Sequence, residues 1–282
     1  MEFIKPNTLK ELLEIISTIT GEKYYFAGGT DINIQIKKDI IRNGKIIFIN
    51  HIKELNGIKE DENYILIGST TTFRQIIESK LLNDKLPFFQ KSLNNFASPL
   101  IQSQATIGGN IANGSPTADV VPLLLVLDGK LELISNSMNR TINLKDFFTG
   151  YKKFILKPDE IIKSIFIPQN AENGFDTFYE KIGSRKALSI AKIAVAGLKK
   201  VVNNEINEIK IAVGSLNEYP RRLDLIEDYL LNKDLKDIDF KRIRIILKEE
   251  ITPITDLRSD KDYRFEVCLN LIKKFLLKPD SG

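Results

Sequence analysis

Twice in this chain a pair of glycines stands among small polar residues, in Ala27-Gly28-Gly29-Thr30-Asp31 and in Thr106-Ile107-Gly108-Gly109-Asn110. Glycine has no Cβ, so the backbone at such a place can take positive φ, approach another group closely and turn its N–H groups outward. The first pair follows the strand-like Tyr24–Phe26, Thr30 adds a hydroxyl donor, and a short helix starting at Asp31 would add its positive end. Together these make an anion cradle, although a glycine pair after a strand is also what an ordinary turn requires. The second segment repeats the chemistry and runs on through Ile111-Ala112-Asn113-Gly114-Ser115-Pro116-Thr117-Ala118-Asp119. Two separate nests of N–H groups suit a ligand with two phosphates, so a dinucleotide fits better than a mononucleotide. Neither segment contains Gly-x-Gly-x-x-Gly and the Walker pattern is absent, which argues against a Rossmann or P-loop site. Asp119 is placed to accept a hydrogen bond from a ribose hydroxyl, or equally to cap the helix that follows.

Residue counts narrow the chemistry further. The 282 residues hold one cysteine, Cys268, and one histidine, His51. No disulfide framework and no Cys/His metal site can be assembled from one of each. His51 falls in a polar turn after Ile46–Asn50 and reads as a surface residue; Cys268 lies in the apolar-periodic Phe265, Cys268, Leu269, Ile272 and reads as a core thiol. Redox chemistry here would therefore need a bound organic cofactor. The net charge of +4, from 41 basic and 37 acidic residues, is mild, and no basic stripe interleaved with aromatics points to nucleic acid. The longest apolar run, Val120–Leu127, is too short to insert into a membrane. The N-terminus has no signal pattern, which leads to an expectation of cytoplasmic location.

The periodicities predict a helix from Leu9 capped by Asn7 or Thr8 and ended by Gly21, then strands at Tyr24–Phe26, Lys45–Ile49 and Tyr64–Ile67. Thr71 or Thr72 caps a helix through Ile77. Leu86–Phe96 reads as one helix that stops at Ser98-Pro99. A further helix runs from Asp119 to Leu127 with Gly129 ending it, followed by strands Lys130–Ile134 and Ile161–Ile167. The polar stretch Gln169–Gly174 marks a domain boundary. Beyond it Thr177–Lys181, Ile190–Val202 and Ile206–Val213 read as antiparallel strands, with Asn203-Asn204 as a hairpin turn. Helices are expected over Arg222–Leu231, Phe240–Glu249 and Ser259–Leu277.

The two glycine segments, read with their flanks, resemble the two FAD motifs of the molybdenum hydroxylase flavoproteins. That family includes the FAD domain of xanthine dehydrogenase, the medium subunit of aerobic carbon monoxide dehydrogenase and the nicotinate dehydrogenase flavin subunit. The likeness continues through Phe148-Thr149-Gly150-Tyr151, Leu156-Lys157-Pro158-Asp159-Glu160-Ile161-Ile162 and Lys181-Ile182-Gly183-Ser184-Arg185-Lys186-Ala187. It extends over Ala191–Gly197 and Asp256-Leu257-Arg258-Ser259, and ends at Tyr263-Arg264. It implies an α+β chain: a PCMH-type FAD-binding fold over 1–170, in subdomains of about 1–55 and 56–170. A CO-dehydrogenase-flavoprotein-like C-terminal α/β domain then spans 174–282. By resemblance, Ala27, Gly28, Gly29, Thr30 and Asp31, flanked by Phe26 and Ile32, wrap the pyrophosphate. Thr106, Gly109, Asn110, Asn113 and Asp119 match positions contacting the pyrophosphate, ribityl or ribose, and Phe96, Ile162 and Lys181 match further FAD neighbours. Phe96 and Ile162 are as natural in a plain core, and Lys181 as a solvated strand lysine.

With no histidine or cysteine near either loop, the resemblance implies noncovalent FAD. It also implies that molybdopterin and [2Fe–2S] clusters sit on partner subunits of a hetero-oligomer, because this chain lacks ligands for them. Electrons would pass from those clusters through FAD to a terminal acceptor, NAD by resemblance. The cofactor carries the chemistry, so no side chain is assigned as catalytic acid or base and none as a metal ligand. Thr30-Asp31 is closer to the xanthine and nicotinate members than to carbon monoxide dehydrogenase. The alternative is a free-standing FAD-dependent reductase or oxidase of the same fold, resembling UDP-N-acetylenolpyruvoylglucosamine reductase, although no matching catalytic segment is present.

Overall fold

The computed structural model describes residues 1–185 and 189–278. Lys186 and Ala187 of the Lys181–Ala187 motif, and the end of the expected 174–282 domain, lie outside the described residues. The chain forms two compact units, one of Met1–Asn113, Gly129–Thr149 and Phe154–Gln169, the other of Gly114–Asp128, Gly150–Lys153 and the chain from Asn170 onward. Gly114–Asp128 joins the second unit because its helix, Val120–Val126, is buried on every side and packs on strands Ile193–Val202 and Glu205–Gly214.

The first unit begins with a small parallel sheet ordered Glu2–Ile4, Lys45–Phe48, Lys23–Phe26. Helix Leu9–Thr18 is capped by the Thr8 hydroxyl, which accepts from the Glu11 N–H, and it buries Leu12 and Ile16. These pack with Ile47, Ile49, Ile52 and Leu55, and with Tyr25 and Ala27 at the end of the third strand. His51 is exposed as expected, its Nε2 lying 2.7 Å from the Pro6 carbonyl oxygen.

A five-stranded antiparallel sheet follows in the order Ile58–Glu60, Tyr64–Gly68, Ile161–Pro168, Lys130–Ile134, Asn139–Asn143. Its two edge strands are short and polar, which is why periodicity passes over them. Between Gly68 and Lys130 the first unit is helical. Thr72 and Gln75 form a reciprocal capping box for Phe73–Ile77. The single helix expected over Leu86–Phe96 is instead Pro87–Ser92, preceded by Lys80–Lys85. Ser98-Pro99 does not merely stop a helix: Ser98 caps Pro99–Gln102, with proline at the first helical position, where its missing N–H costs nothing.

The second unit is built on an antiparallel sheet ordered Asp176–Ile182, Ile193–Val202, Glu205–Gly214, Arg221–Arg222. Asn203 and Asn204 both take positive φ, as a two-residue hairpin turn with the twist of its strands requires. Helices Asp224–Leu230, Phe240–Glu250 and Lys261–Leu276 bury Ile226, Leu230, Ile243, Leu247, Cys268 and Phe275 in one core with Val195, Ile211 and Val213. The first of these helices starts at Asp224, not Arg222, because Arg221–Arg222 pairs with the sheet edge. Among the described residues no helix is long and apolar enough to cross a membrane.

Candidate cofactor site

Strand Lys23–Phe26 ends where the Phe26 carbonyl accepts the Ile49 N–H at 3.0 Å. There the backbone leaves the sheet. Among the described residues, no backbone N–H from Ala27 through Ile32 donates to a protein acceptor; the next one, of Asn33, returns to the Gly29 carbonyl at 3.2 Å. A run of unpaired N–H groups in one loop is what an anion needs. The two glycines serve different ends. Gly29 has φ of 72°, and a Cβ on it would stand 2.5 Å from Phe26 Cζ. Gly28 has no positive φ; it is glycine because a Cβ would overlap the carbonyl oxygen of Gln104 and lie 3.1 Å from Ala105 Cα. Phe26 supports the loop from below, tilted on Phe48 with centroids 4.8 Å apart. Asp31 does not cap the helix Ile32–Lys37; its carboxylate accepts from Gln35 Nε2.

The second glycine segment is not a second nest. It is a helix, Ile107–Ala112, whose N-cap is Thr106. The N–H groups of Ile107 and Gly108 donate to the carbonyls of Thr71 and Ser69, and those of Gly109 and Asn110 to the Thr106 hydroxyl and carbonyl. Its glycines allow close packing. A Cβ on Gly108 would lie 2.6 Å from the Ser69 carbonyl oxygen, and one on Gly109 would lie 2.8 Å from Thr106 Oγ1. Sequence alone does not separate a nest from a tightly packed helix start, because both require glycine after a hydroxyl.

Both segments border one cavity of about 520 Å³ in the first unit. Of the residues singled out in the sequence, Ala27, Gly28, Gly29, Thr30, Asp31 and Ile32 line it, as do Phe96, Thr106, Gly109, Asn110, Asn113 and Ile162. Phe96 is stacked on Phe73 at 3.8 Å between centroids, so it is core and cavity wall at once. Phe26 lies outside the lining. The wall also includes Leu156, from the stretch that leads to Ile162, and residues that no motif announced, among them Lys23, Tyr25, Ser69 and Phe154. The run Ser69-Thr70-Thr71-Thr72 after a strand was the available signal for Ser69; Phe154 carries none.

Burial lowers the Lys23 pKa, against the pull of Asp159, and burial raises that of Tyr25, helped by the same carboxylate. Tyr25 Oη, Ser69 Oγ and Asn110 Oδ1 are buried without a hydrogen-bond partner among the described residues. The segment that brings Leu156, Ile161 and Ile162 to the wall is fixed by Glu160. Its carboxylate accepts from Arg140 Nε and Nη2, both at 2.8 Å, and from the Lys157 N–H at 2.9 Å. The arginine hydrogen bonds hold the Glu160 carboxyl below its usual range.

Asp119 and Lys181 belong to the second unit and are not part of the cavity wall. Lys181 Nζ lies 2.5 Å from Asp119 Oδ2, and the Tyr179 hydroxyl donates to the Asp119 carbonyl at 3.1 Å. Asp119 therefore makes no side-chain cap, and Lys181 is not a solvated strand lysine. Burial raises the Asp119 pKa while Lys181 pulls it down, and Oδ1 has no partner among the described residues. No group of His, Cys, Asp and Glu that could hold a metal occurs among the described residues.

A strand-end loop of unpaired N–H groups on the wall of a large cavity has the size and donors that an anionic, nucleotide-sized ligand needs. Comparison with known proteins gives the ligand. Residues 1–170 match the FAD binding domain in molybdopterin dehydrogenase, and residues 178–278 match the CO dehydrogenase flavoprotein C-terminal domain. The chain is 30% identical over 270 residues to the xanthine dehydrogenase FAD-binding subunit of Escherichia coli O157:H7, covering 95% of this chain and 92% of that one. It is 28% identical over 272 residues to the glyceraldehyde dehydrogenase medium chain of Sulfolobus acidocaldarius, covering 96% and 95%. Its fold matches a chain of reconstituted CO dehydrogenase from Oligotropha carboxidovorans with a TM-score of 0.90 at 22% identity, covering 97% and 95%. The chain belongs to the FAD-binding family of the molybdopterin dehydrogenases: its cofactor is FAD, and it is a subunit of an oxidoreductase.

Proposed function

We propose that this chain is the electron-transfer subunit of a xanthine dehydrogenase-like molybdenum hydroxylase. It receives electrons from [2Fe–2S] clusters on one partner subunit, after substrate oxidation on a molybdenum-cofactor subunit, and passes them through FAD to NAD. The observation that carries the reading is the run of unpaired backbone N–H groups from Ala27 to Ile32 on the wall of the cavity. These groups hold the pyrophosphate, with Phe26 beneath them. Thr106, Gly109, Asn110 and Asn113 contact the remainder of FAD together with Phe96 and Ile162. In this reading residues 1–170 are the FAD domain, in subdomains of about 1–55 and 56–170, and 174–282 are the second domain. FAD, when bound, supplies a carrier that accepts electrons singly and gives them up in pairs. The chain's own work is to bind and orient that carrier. We assign the assembly to the cytoplasm.

The test is reconstitution with the three chains added singly and together. This chain with FAD alone should hydroxylate no purine, aldehyde or N-heterocycle while still reducing an artificial dye with NADH. Hydroxylation coupled to NAD reduction should require all three. Hydroxylation by this chain alone would replace the subunit reading with a free-standing enzyme.

A further inference from the structure

We infer that Arg140, which lies outside the cavity lining, is a positioning residue for FAD: its guanidinium sets the spacing between the two halves of one wall segment. The inference rests on the cavity being the FAD site. Phe154 and Leu156 line the cavity before the turn Lys157-Pro158-Asp159-Glu160, and Ile161 and Ile162 line it after the turn. Neither Arg140 nor Glu160 is among the lining residues. Arg140 stands on the edge strand Asn139–Asn143 and reaches both sides of that turn. Its Nη2 donates to the Ile155 carbonyl at 3.0 Å, between Phe154 and Leu156, and to Glu160 Oε2 at 2.8 Å, next to Ile161. Its Nε donates to the other Glu160 oxygen at 2.8 Å.

The turn itself is closed by the same carboxylate. Glu160 Oε2 accepts the Lys157 N–H at 2.9 Å, and the Glu160 N–H returns to the Lys157 carbonyl at 3.0 Å. The arginine carries this closure back to Ile155. There the Ile155 N–H donates to the Phe147 carbonyl at 3.0 Å, and the Phe154 ring stacks on Phe147. A planar fork with donors in fixed directions can grip a carboxylate with two nitrogens and still direct a further N–H at a carbonyl. A lysine ammonium is a single point and cannot do both. The Glu160 side chain is 1% exposed, so a bond lost here is not replaced by one to water. A wall segment freed in this way must be ordered again when FAD binds, which lowers affinity although no group that faces the ligand has changed.

Arg140→Lys keeps a cation for Glu160 and gives up the fork. FAD affinity is measured by quenching of flavin fluorescence, on titration into the FAD-free chain at a temperature where every variant is fully folded. The control is Leu82→Ala, which cuts back a fully buried side chain of the first unit outside the cavity lining. Arg140→Lys should bind FAD roughly tenfold more weakly, the equivalent of re-ordering one or two wall side chains. Amide hydrogen exchange over 154–162 should rise in its FAD-free form. Leu82→Ala should melt at a lower temperature yet bind FAD as the unaltered chain does, because the affinity of a fully folded chain does not depend on its margin of stability. Glu160→Gln, which removes the carboxylate that the fork grips, should repeat the loss of affinity and serves as a second variant. Unchanged FAD affinity in Arg140→Lys and Glu160→Gln overturns the inference, and so does a loss no larger than that of Leu82→Ala. Failure of the unaltered chain to bind FAD is a different result, which removes the cofactor site itself and this inference with it.

Discussion

Gly28 and Gln104 lie so close that any side chain on Gly28 would overlap the Gln104 carbonyl oxygen. The contact is backbone against backbone, so no rotamer change relieves it. It ties the first glycine loop to the turn just before helix Ile107–Ala112, and so sets the distance between the two walls of the cavity.

Gly28→Ala should therefore push the loop away and lower FAD affinity by 10- to 100-fold, the equivalent of roughly 1–3 kcal/mol of overpacking. Gly109→Ala should do much less. Gly109 sits in a helical turn without positive φ, where alanine is favoured by up to about 1 kcal/mol, and its added methyl, 2.8 Å from Thr106 Oγ1, needs a shift of that side chain and not of the backbone. Fluorescence titration of both variants decides the matter. A Gly109→Ala defect as large as that of Gly28→Ala would mean that the second segment contributes more than close packing.

A pH effect follows from Glu160 and Arg140. The paired guanidinium depresses the folded-state pKa of Glu160, so its stabilisation is complete above the ordinary carboxyl value and is lost as pH falls through the depressed one. The first unit should accordingly weaken on acidification below about pH 4.3. Glu160→Gln should cost about 2–3 kcal/mol at neutral pH, less than a fully buried pair because Arg140 is partly exposed. Denaturant melts at pH 7 and pH 4 should show a smaller acid-dependent loss in the variant than in the unaltered chain. Identical losses would remove Glu160 from the account.

Noncovalent attachment is a separate expectation. Neither the single histidine nor the single cysteine lines the cavity, so no imidazole or thiol is at hand to tether the flavin. Acid precipitation should leave a colourless pellet and release FAD, identified by mass spectrometry. Flavin retained on the pellet, or FMN in the supernatant, would contradict this.

The sequence made the long periodic elements and the first loop legible. Helix Leu9–Thr18 shows its helical stripe and cap, and Asn203-Asn204 shows its hairpin, because those signals are local. The wall residues Lys23, Tyr25 and Phe154 did not announce themselves. Their place in the cavity depends on strand pairing and on the turn held by Glu160, which are long-range facts. The second glycine segment misled for a different reason. Gly108 is required by the approach of Ser69, a residue distant in sequence, and the pattern it leaves is the same as that of an anion nest. The position of Gly114–Asp128 was hidden in the same way, since only the packing of Val120–Val126 on a later sheet reveals which unit it joins.

Cys268 offers a probe of the second unit. It is fully buried in helix Lys261–Leu276, among Ile243, Leu247 and Ile272. Burial pushes its thiol pKa up, and the Glu250 carboxylate adds to the effect. The thiolate is the reactive form, so the native chain should resist a disulfide reagent at pH 8 while the denatured chain reacts at once. The rate in the native state then reports how often this helix opens, and denaturant should raise it in step with unfolding of the unit. Cys268→Ala should cost about 1–2 kcal/mol as a small cavity, below the loss for a larger apolar side chain. Rapid labelling of the native chain would show that helix Lys261–Leu276 is not docked on the sheet.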